Sequence, residues 1–244
     1  MRARTGGVTL IEMLIAVSLL SLLSVSILLA LRVGLSAMDK SNAKLMANRR
    51  SVSVERILRS EIEGLMPVGA DCAPAPDQPP VKIAFFDGQP QSMRFVSSYS
   101  LDEAARGLPR ILELAVIPGE ENRGVRLIVN EYVYTGPVAA GAACLGMAPD
   151  PETGRSLPQF APVVPGPRSF VLADKLAHCS FSYRWQPPPP ELARWLAVWK
   201  LPQWPTAVHI DMAPLDPDSS RVPLASATIP IRVNRQPNVD YTSY

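Results

Sequence analysis

The sequence predicts an α+β protein in which one long N-terminal helix packs on a mainly antiparallel β-sheet. All 26 prolines lie at or after Pro67, so the first 66 residues can form an uninterrupted helix. Beyond Pro67, short β-like segments alternate with turns rich in Pro, Gly and Asp, and no amphipathic helices separate them. With 244 residues, the chain suits one domain plus an accessory element rather than two full domains.

The first half of this helix is apolar enough to cross a membrane. Residues 13–31 are 19 consecutive uncharged positions, which with their flanks span about 30 Å of hydrocarbon. Arg2 and Arg4 precede them and favour a cytoplasmic N-terminus, although three basic residues within 32–44 oppose this bias. The run is longer than the core of a secretory signal peptide, and no convincing cleavage site follows it, so an uncleaved signal anchor is the simple alternative.

A simple membrane anchor does not require a glutamate at position 12. A charged carboxylate at mid-membrane costs about 2.5 to 3.5 kcal/mol, so it needs a partner or a shallow location. If a peptidase cut the chain after Gly7, Val8 would carry a new α-amine about one helical turn from Glu12. The carboxylate of one subunit would then pair with the amine of a neighbour in a helix-packed filament.

A short segment resembles the class III signal of type IV prepilins and type II secretion pseudopilins: Gly7-Val8-Thr9-Leu10-Ile11-Glu12, behind a basic leader and ahead of an apolar stretch. The resemblance implies a prepilin peptidase that cleaves after Gly7 and methylates Val8, and it assigns Glu12 to assembly. The chain departs from the family at Val8, where Phe or Met is usual. The net charge of +2 is too small for a nucleic-acid binder, and loss of the leader would remove two cations.

The segment after the apolar run continues as helix. Val54, Leu58, Ile62 and Leu65 recur at three- and four-residue spacing, which predicts a buried face. Packing on the β domain is favoured over a partner site or a cofactor site for this face. The resulting division is a leader at 1–7, a transmembrane and assembly half of the helix at 8–31, a periplasmic half at 32–66 and a β-rich head at 67–244.

The head is predicted to consist of strands, at 81–86, 92–99, 110–117, 125–135, 175–185, 207–215 and 227–234. The first two strands and the next two are expected to form hairpins. Alternation in the fifth strand places Cys179, Phe181, Tyr183 and Trp185 on the inward face. Residues 139–167 are expected to be an irregular loop, and the prolines at 187–190 a rigid connector rather than a partner site.

The head also resembles the minor pseudopilin J class of type II secretion. The likeness rests on a weak pattern of spaced hydrophobic residues and turns, which includes Leu172 to Leu176, Phe181 to Trp185 and Ala207 to Ile210. It implies a pilin-like fold, with a long helix on a β-sheet. It also implies assembly with the I and K minor pseudopilins and the major pseudopilin at the tip of a periplasmic pseudopilus.

The tryptophans and cysteines leave several interpretations open. All four tryptophans lie between positions 185 and 204, where packing under the sheet is favoured over an interface anchor. Cys72 and Cys144 lie in loop-like segments and are predicted to form a disulfide, with Cys179 a buried thiol; sequence alone does not fix this pairing.

Catalytic and metal sites are not expected. His178 and Cys179 are adjacent, so a strand would place their side chains on opposite faces. No zinc-like spacing occurs, and Asp211, Asp216 and Asp218 are interpreted as a turn rather than a calcium site. No cofactor, metal or enzyme activity is therefore predicted.

The resulting hypothesis is a non-enzymatic minor pseudopilin that starts in the inner membrane, where membrane lipid surrounds its helix, and then enters the pseudopilus. A minor pilin of a type IV pilus or DNA-uptake filament is the nearest alternative. A signal-anchored periplasmic enzyme or ligand-binding module is the alternative from another class.

Overall fold

The computed structural model describes residues 9–75, 77–216 and 226–232. Gly7 and Val8, at the predicted processing site, and Asp218 lie outside these residues. The chain divides into two compact units, 1–49 and 50–244. The division falls within the long helix α1, Leu10–Glu63, and lies closer to the head than the predicted boundary between the membrane half and the periplasmic half.

The first unit consists of α1 up to residue 49. Its large apolar side chains are exposed, from Leu10 at 85% to Met46 at 66%. Helix α1 contains no proline and consists mainly of good helix formers, which explains its length of 54 residues. A helix that is apolar on all sides needs a surrounding of lipid or of other apolar helices.

In its described residues, the second unit contains the last turns of α1 and thirteen strands. They are β1 (Leu65–Met66), β2 (Gly69–Cys72), β3 (Val81–Ala84), β4 (Asp87–Gly88), β5 (Ser92–Ser100), β6 (Ala105–Pro118), β7 (Val125–Val133), β8 (Cys144–Pro149), β9 (Ser156–Phe160), β10 (Phe170–Trp185), β11 (Arg194–Leu196), β12 (Ala207–Pro214) and β13 (Ala227–Pro230). A short helix α2, Pro137–Gly141, precedes β8, and a 3-10 turn, Glu120–Asn122, lies between β6 and β7.

The main sheet is antiparallel and has the order β1-β5-β6-β7-β10-β12-β13, with β4 beside β5 and β11 beside β10. Two small hairpins, β2-β3 and β8-β9, stand apart from it. The predicted stripe of Val54, Leu58, Ile62 and Leu65 is buried in one core with the sheet, each side chain at most 4% exposed. The α+β prediction of a helix packed on an antiparallel sheet is therefore confirmed.

The predicted inward face of β10 is also confirmed. Cys179, Phe181 and Tyr183 are buried, and Trp185 is half-buried and packs against the same core. Among the other tryptophans, Trp199 and Trp204 belong to the core. Trp195 is 45% exposed, so packing explains only part of the tryptophan cluster.

Two predictions about the head are wrong. Strand β3 pairs with β2, and β5 pairs with β4 and β6, so the predicted hairpin between 81–86 and 92–99 does not form. The reason is that Asp87 and Gly88 are themselves extended and pair with Arg94 and Met93. Residues 139–167 are not an irregular loop, because they contain the end of α2 and the β8-β9 hairpin.

A disulfide joins Cys72 at the end of β2 to Cys144 at the start of β8, with a Cα–Cα distance of 5.7 Å. This is the pairing that the sequence favoured, and Cys179 is a buried free thiol. The bond closes a loop with a sequence separation of 72 residues. It therefore fixes the β8-β9 hairpin, whose two strands contain one proline each and little apolar alternation, to the rest of the head.

The Cys72→Ala/Cys144→Ala variant is expected to lose about 2–4 kcal/mol of unfolding free energy, because the unfolded chain regains the freedom of a long loop. Urea unfolding of the full chain in detergent checks this, and tryptophan fluorescence reports on the head alone because all four tryptophans lie there. The parent chain under reducing conditions should match the variant. Equal stability of the oxidised parent and the variant would contradict the prediction.

Candidate functional site

The N-terminal end of α1 carries Glu12 in its first turn. The backbone N–H of Glu12 donates to the hydroxyl of Thr9 at 3.3 Å, and the backbone N–H of Thr9 donates to Oε2 of Glu12 at 3.5 Å. These reciprocal bonds form a capping box, which satisfies donors that a helix start leaves unpaired. The carboxylate therefore lies at the positive end of the helix macrodipole, bonded within its own chain.

Thr9 is a residue that the sequence argument did not single out. Its signal was present, because Thr9-Leu10-Ile11-Glu12 has the Thr-x-x-Glu spacing of a capping box. The structure shows that Thr9 and Glu12 act together at the helix start.

The serine side chains of the apolar segment form hydrogen bonds within their own helix. Each serine hydroxyl donates to a backbone carbonyl three or four residues earlier at 2.8 to 2.9 Å, as follows: Ser18 to Ile15, Ser21 to Val17, Ser24 to Leu20 and Ser26 to Leu22. A hydroxyl that is satisfied inside its own helix can enter hydrocarbon at low cost. Among described residues 9–31, Glu12 has the one ionisable side chain.

His178 and Cys179, the residues considered for nucleophilic catalysis, lie on strand β10 of the head. Burial raises the pKa of the Cys179 thiol to about 12, with the charge of Asp211 adding to the rise. The His178 side chain is 53% exposed and lies 3.2 Å from Oδ2 of Asp211, while Ser226 donates to Oδ1 at 2.6 Å. A neutral buried thiol with its neighbouring imidazole turned to solvent has no arrangement for nucleophilic attack.

No group of three or more His, Cys, Asp or Glu side chains in the described part of the chain has an arrangement suited to a metal. Asp211 instead has the partners given above, and the Ser226 hydrogen bond is the main reason that its pKa lies below the ordinary value. Asp216 is exposed and is the last residue of the described range 77–216.

A large cavity of about 1410 Å³ lies in the head between the main sheet and the two hairpins. Its lining includes aromatic and aliphatic side chains, among them Ile83, Phe86, Leu157, Phe160, Trp199 and Trp204. At its rim, Nζ of Lys200 contacts Asp150 at 2.8 Å and Glu152 at 3.1 Å, which ties the segment after β11 to the β8-β9 turn. The lining also contains the charged side chains of Lys82, Asp87, Asp150 and Lys200.

Glu61 is an unusual group where α1 packs on the sheet. The residue is 1% exposed, and neither carboxyl oxygen accepts a hydrogen bond from the described residues. Burial raises its pKa to about 8, and the negative charge of Glu131 adds to this; the Ser97 hydroxyl, which already donates to the Glu61 backbone carbonyl at 2.9 Å, opposes it weakly. Glu131 itself lies 3.2 Å from Nε of Arg110.

The Glu61→Gln variant is expected to gain about 3 kcal/mol of unfolding free energy at pH 8.5 and less than about 1 kcal/mol at pH 5. The folded chain holds a proton that the unfolded chain releases above a pH of about 4.5, so stability falls as the pH rises from about 4.5 to about 8. Gln does not ionise, so the variant lacks this fall. The full pKa difference corresponds to about 5 kcal/mol, and relaxation around the charge reduces it.

Urea unfolding of the full chain at both pH values measures this difference. Glu63→Gln is the matched control, because Glu63 is on the same helix, partly exposed and 3.8 Å from Arg59. It should change stability by less than about 0.5 kcal/mol at either pH. Parallel pH profiles for the parent and the Glu61→Gln variant would contradict the prediction.

Two comparisons with known proteins bear on the N-terminal site and on the head. Residues 2–28 match the family model described as the prokaryotic N-terminal methylation motif. The chain is also 27% identical over 217 residues to type II secretion system protein J from Xanthomonas campestris pv. campestris, and the alignment covers 87% of this chain and 88% of that protein. The prepilin-like motif and the resemblance to the J class are therefore confirmed.

Proposed function

We infer that the chain is a minor pseudopilin of the J class of a type II secretion system, which supports protein export by assembling into a pseudopilus. The observation that carries this inference is the alignment to a protein J over most of both chains. The methylation motif at residues 2–28, the long apolar helix and the antiparallel head support it, since a filament subunit of this kind needs all three.

The chain is anchored in a membrane with a periplasmic head, and it assembles with other pseudopilins after action by a prepilin peptidase. The finer proposal is a single-pass protein of the inner membrane with a cytoplasmic N-terminus. After processing, it enters the tip of the pseudopilus with the I and K minor pseudopilins, above the major pseudopilin. Its role is structural, with no reaction of its own.

The proposed assembly step uses three positions at the N-terminus. The peptidase cuts after Gly7 and leaves the α-amine of Val8, which is also the site of methylation. Glu12 then exchanges the Thr9 N–H, a weak partner at 3.5 Å, for the charged amine of a neighbouring subunit. Apolar burial between helices supplies most of the stabilisation, and this ion pair sets the axial register of one subunit against the next.

Mass spectrometry of the N-terminus tests the processing step. The protein is isolated from membranes of its host, or of a host with a matching prepilin peptidase, and the mature chain is expected to begin at Val8. Gly7→Leu should leave the leader in place, whereas the matched Gly6→Ala variant should be processed normally. An intact leader on the parent chain in the presence of active peptidase would overturn the proposal and favour an anchored module.

Affinity capture tests the proposed partners. Captured from cross-linked cells, the chain is expected to recover the I and K minor pseudopilins in larger amounts than the major pseudopilin. Recovery of type IV pilus components in their place would contradict the assignment to secretion. The Glu12→Gln variant provides the control, since a subunit that stays outside the pseudopilus should lose these partners.

A further inference from the structure

We propose that three cations just beyond the apolar segment of α1 form a binding surface for the headgroups of anionic phospholipids. They are Arg32, Lys40 and Lys44, and we call them the basic collar. All three side chains are exposed, and none forms an ion pair with an acid in the described part of the chain. The proposal depends on the apolar segment crossing a bilayer and not on which filament the chain enters.

The helical geometry places the collar on one side of α1. At 100° per residue, Arg32, Lys40 and Lys44 fall within an arc of about 120°. Arg49 projects from the opposite side, so it is not part of the collar. Lys40 and Lys44 are four residues apart, where like charges repel each other on a helix surface, and a bound anion relieves this repulsion.

The distances along the helix fit the headgroup layer. Arg32 immediately follows the uncharged run, while Lys40 and Lys44 lie about 12 and 18 Å farther along the axis. The Cα–Cβ bonds of a helix tilt toward its N-terminus, which here lies on the membrane side, and a lysine side chain reaches about 6 Å. The ammonium of Lys40 therefore lies close to a headgroup layer about 5–7 Å thick, and that of Lys44 lies within a screening length of it.

Insertion does not account for these cations. Positive residues normally accumulate on the cytoplasmic side of a span, and in the proposed topology the collar follows the span on the opposite side. The only acid among residues 32–44 is Asp39, so the segment has a net charge of +2. Each cation near an anionic surface favours membrane binding about five-fold. The contacts of the collar with lipid headgroups must therefore break before the subunit leaves the membrane.

Native mass spectrometry of the full chain tests the collar. The chain is reconstituted in nanodiscs of phosphatidylglycerol and phosphatidylcholine in equal amounts, and the lipids that stay bound after release are counted. The parent is expected to retain phosphatidylglycerol at least about five-fold over phosphatidylcholine. The R32Q/K40Q/K44Q variant should lose this preference, and Asp39→Asn should increase it.

The matched control removes three cations elsewhere, in the R49Q/R56Q/K82Q variant, and should keep the parental preference. Arg49 is about 26 Å beyond Arg32 along the helix, and Lys82 belongs to the head. An unchanged preference for phosphatidylglycerol in the collar variant would overturn the proposal. This is also the result expected if the collar binds an acidic protein surface instead of lipid. An equal loss in both triple variants would also overturn it, because net charge alone would then explain the binding.

Discussion

The Glu12→Gln variant is expected to insert into the membrane and fold like the parent, yet to enter pseudopili at no more than about a tenth of the parental level. A tenfold loss corresponds to about 1.4 kcal/mol, which is below the 3–5 kcal/mol typical for breaking a buried ion pair. The loss follows from the proposed pairing of the Glu12 carboxylate with the Val8 amine of a neighbour. Without the carboxylate, that amine has no counter-charge among apolar helices.

The capping box makes the comparison between Glu12 variants sharper. Gln at the third helical position still accepts a hydrogen bond from the Thr9 N–H, so the helix start is preserved while the charge is lost. Thr9→Val has the opposite effect, since it removes the hydroxyl that accepts the Glu12 N–H and keeps the charge. Thr9→Val is therefore expected to lower incorporation less than Glu12→Gln does.

Quantitative immunoblotting of sheared or purified pseudopili, normalised to the membrane pool, measures incorporation. Ser18→Ala is the matched control, because it alters a polar residue in the same segment whose hydroxyl bonds only to its own helix. It should behave like the parent. Parental incorporation of Glu12→Gln would show that register does not depend on this carboxylate, even if cleavage after Gly7 occurs.

The parts of the fold that the sequence predicted depend on short-range patterns. The stripe from Val54 to Leu65 follows helical spacing, and the strand containing Phe181 and Tyr183 alternates, so burial could be assigned position by position. The processing signal was clear for the same reason, because Gly7 and Glu12 lie five residues apart with an apolar run behind them. Residues 2–28, which include both positions, match the N-terminal methylation motif, while cleavage after Gly7 and the role of Glu12 stay predictions.

The features that were missed depend on contacts between distant residues. Strands β8 and β9 contain Pro149 and Pro158 and have little alternation, and it is the bond from Cys72 to Cys144 that fixes them to the head. Glu61 follows the polar pattern of a helix surface, so nothing in its neighbours predicts that the strand residues Ser97 and Glu131 cover it.

The Arg94→Met variant is expected to lose about 3–5 kcal/mol of unfolding free energy. Arg94 on β5 is 1% exposed. Its Nε lies 2.7 Å from Glu113 and its Nη1 lies 3.2 Å from Asp87, while Nη2 donates to the backbone carbonyl of Ala161 at 2.9 Å. One guanidinium therefore joins β4, β5 and β6 to the segment that follows β9.

The loss arises from the groups that remain. Methionine fills much of the volume of the arginine stem, but it leaves the carboxylates of Asp87 and Glu113 without their cation. Burial already raises the pKa of Asp87, and Arg94 opposes that rise. Arg94→Lys keeps a charge but lacks the planar fork that serves three acceptors at once, so it should lie between the parent and Arg94→Met.

Urea unfolding at pH 7, with tryptophan fluorescence as the signal, measures these differences. Arg123→Met is the matched control, since Arg123 pairs with Glu121 at 3.4 Å but both side chains are at least 75% exposed. It should cost less than about 0.5 kcal/mol. If Arg94→Met costs no more than Arg123→Met, the buried cluster does not stabilise the head.

The pH dependence of the same variant separates lost charge pairing from lost packing. Burial raises the pKa of Asp87, and without Arg94 to oppose this rise the folded state holds the Asp87 proton up to a higher pH than the unfolded state does. Stability of Arg94→Met should therefore rise as the pH falls from 7 toward 4.5, and the gap to the parent should narrow. The difference in unfolding free energy between the parent and Arg94→Met could instead stay constant over this range. The ion pairs of Arg94 would then contribute little, and its contacts with Phe160 and the Ala161 carbonyl would account for the loss.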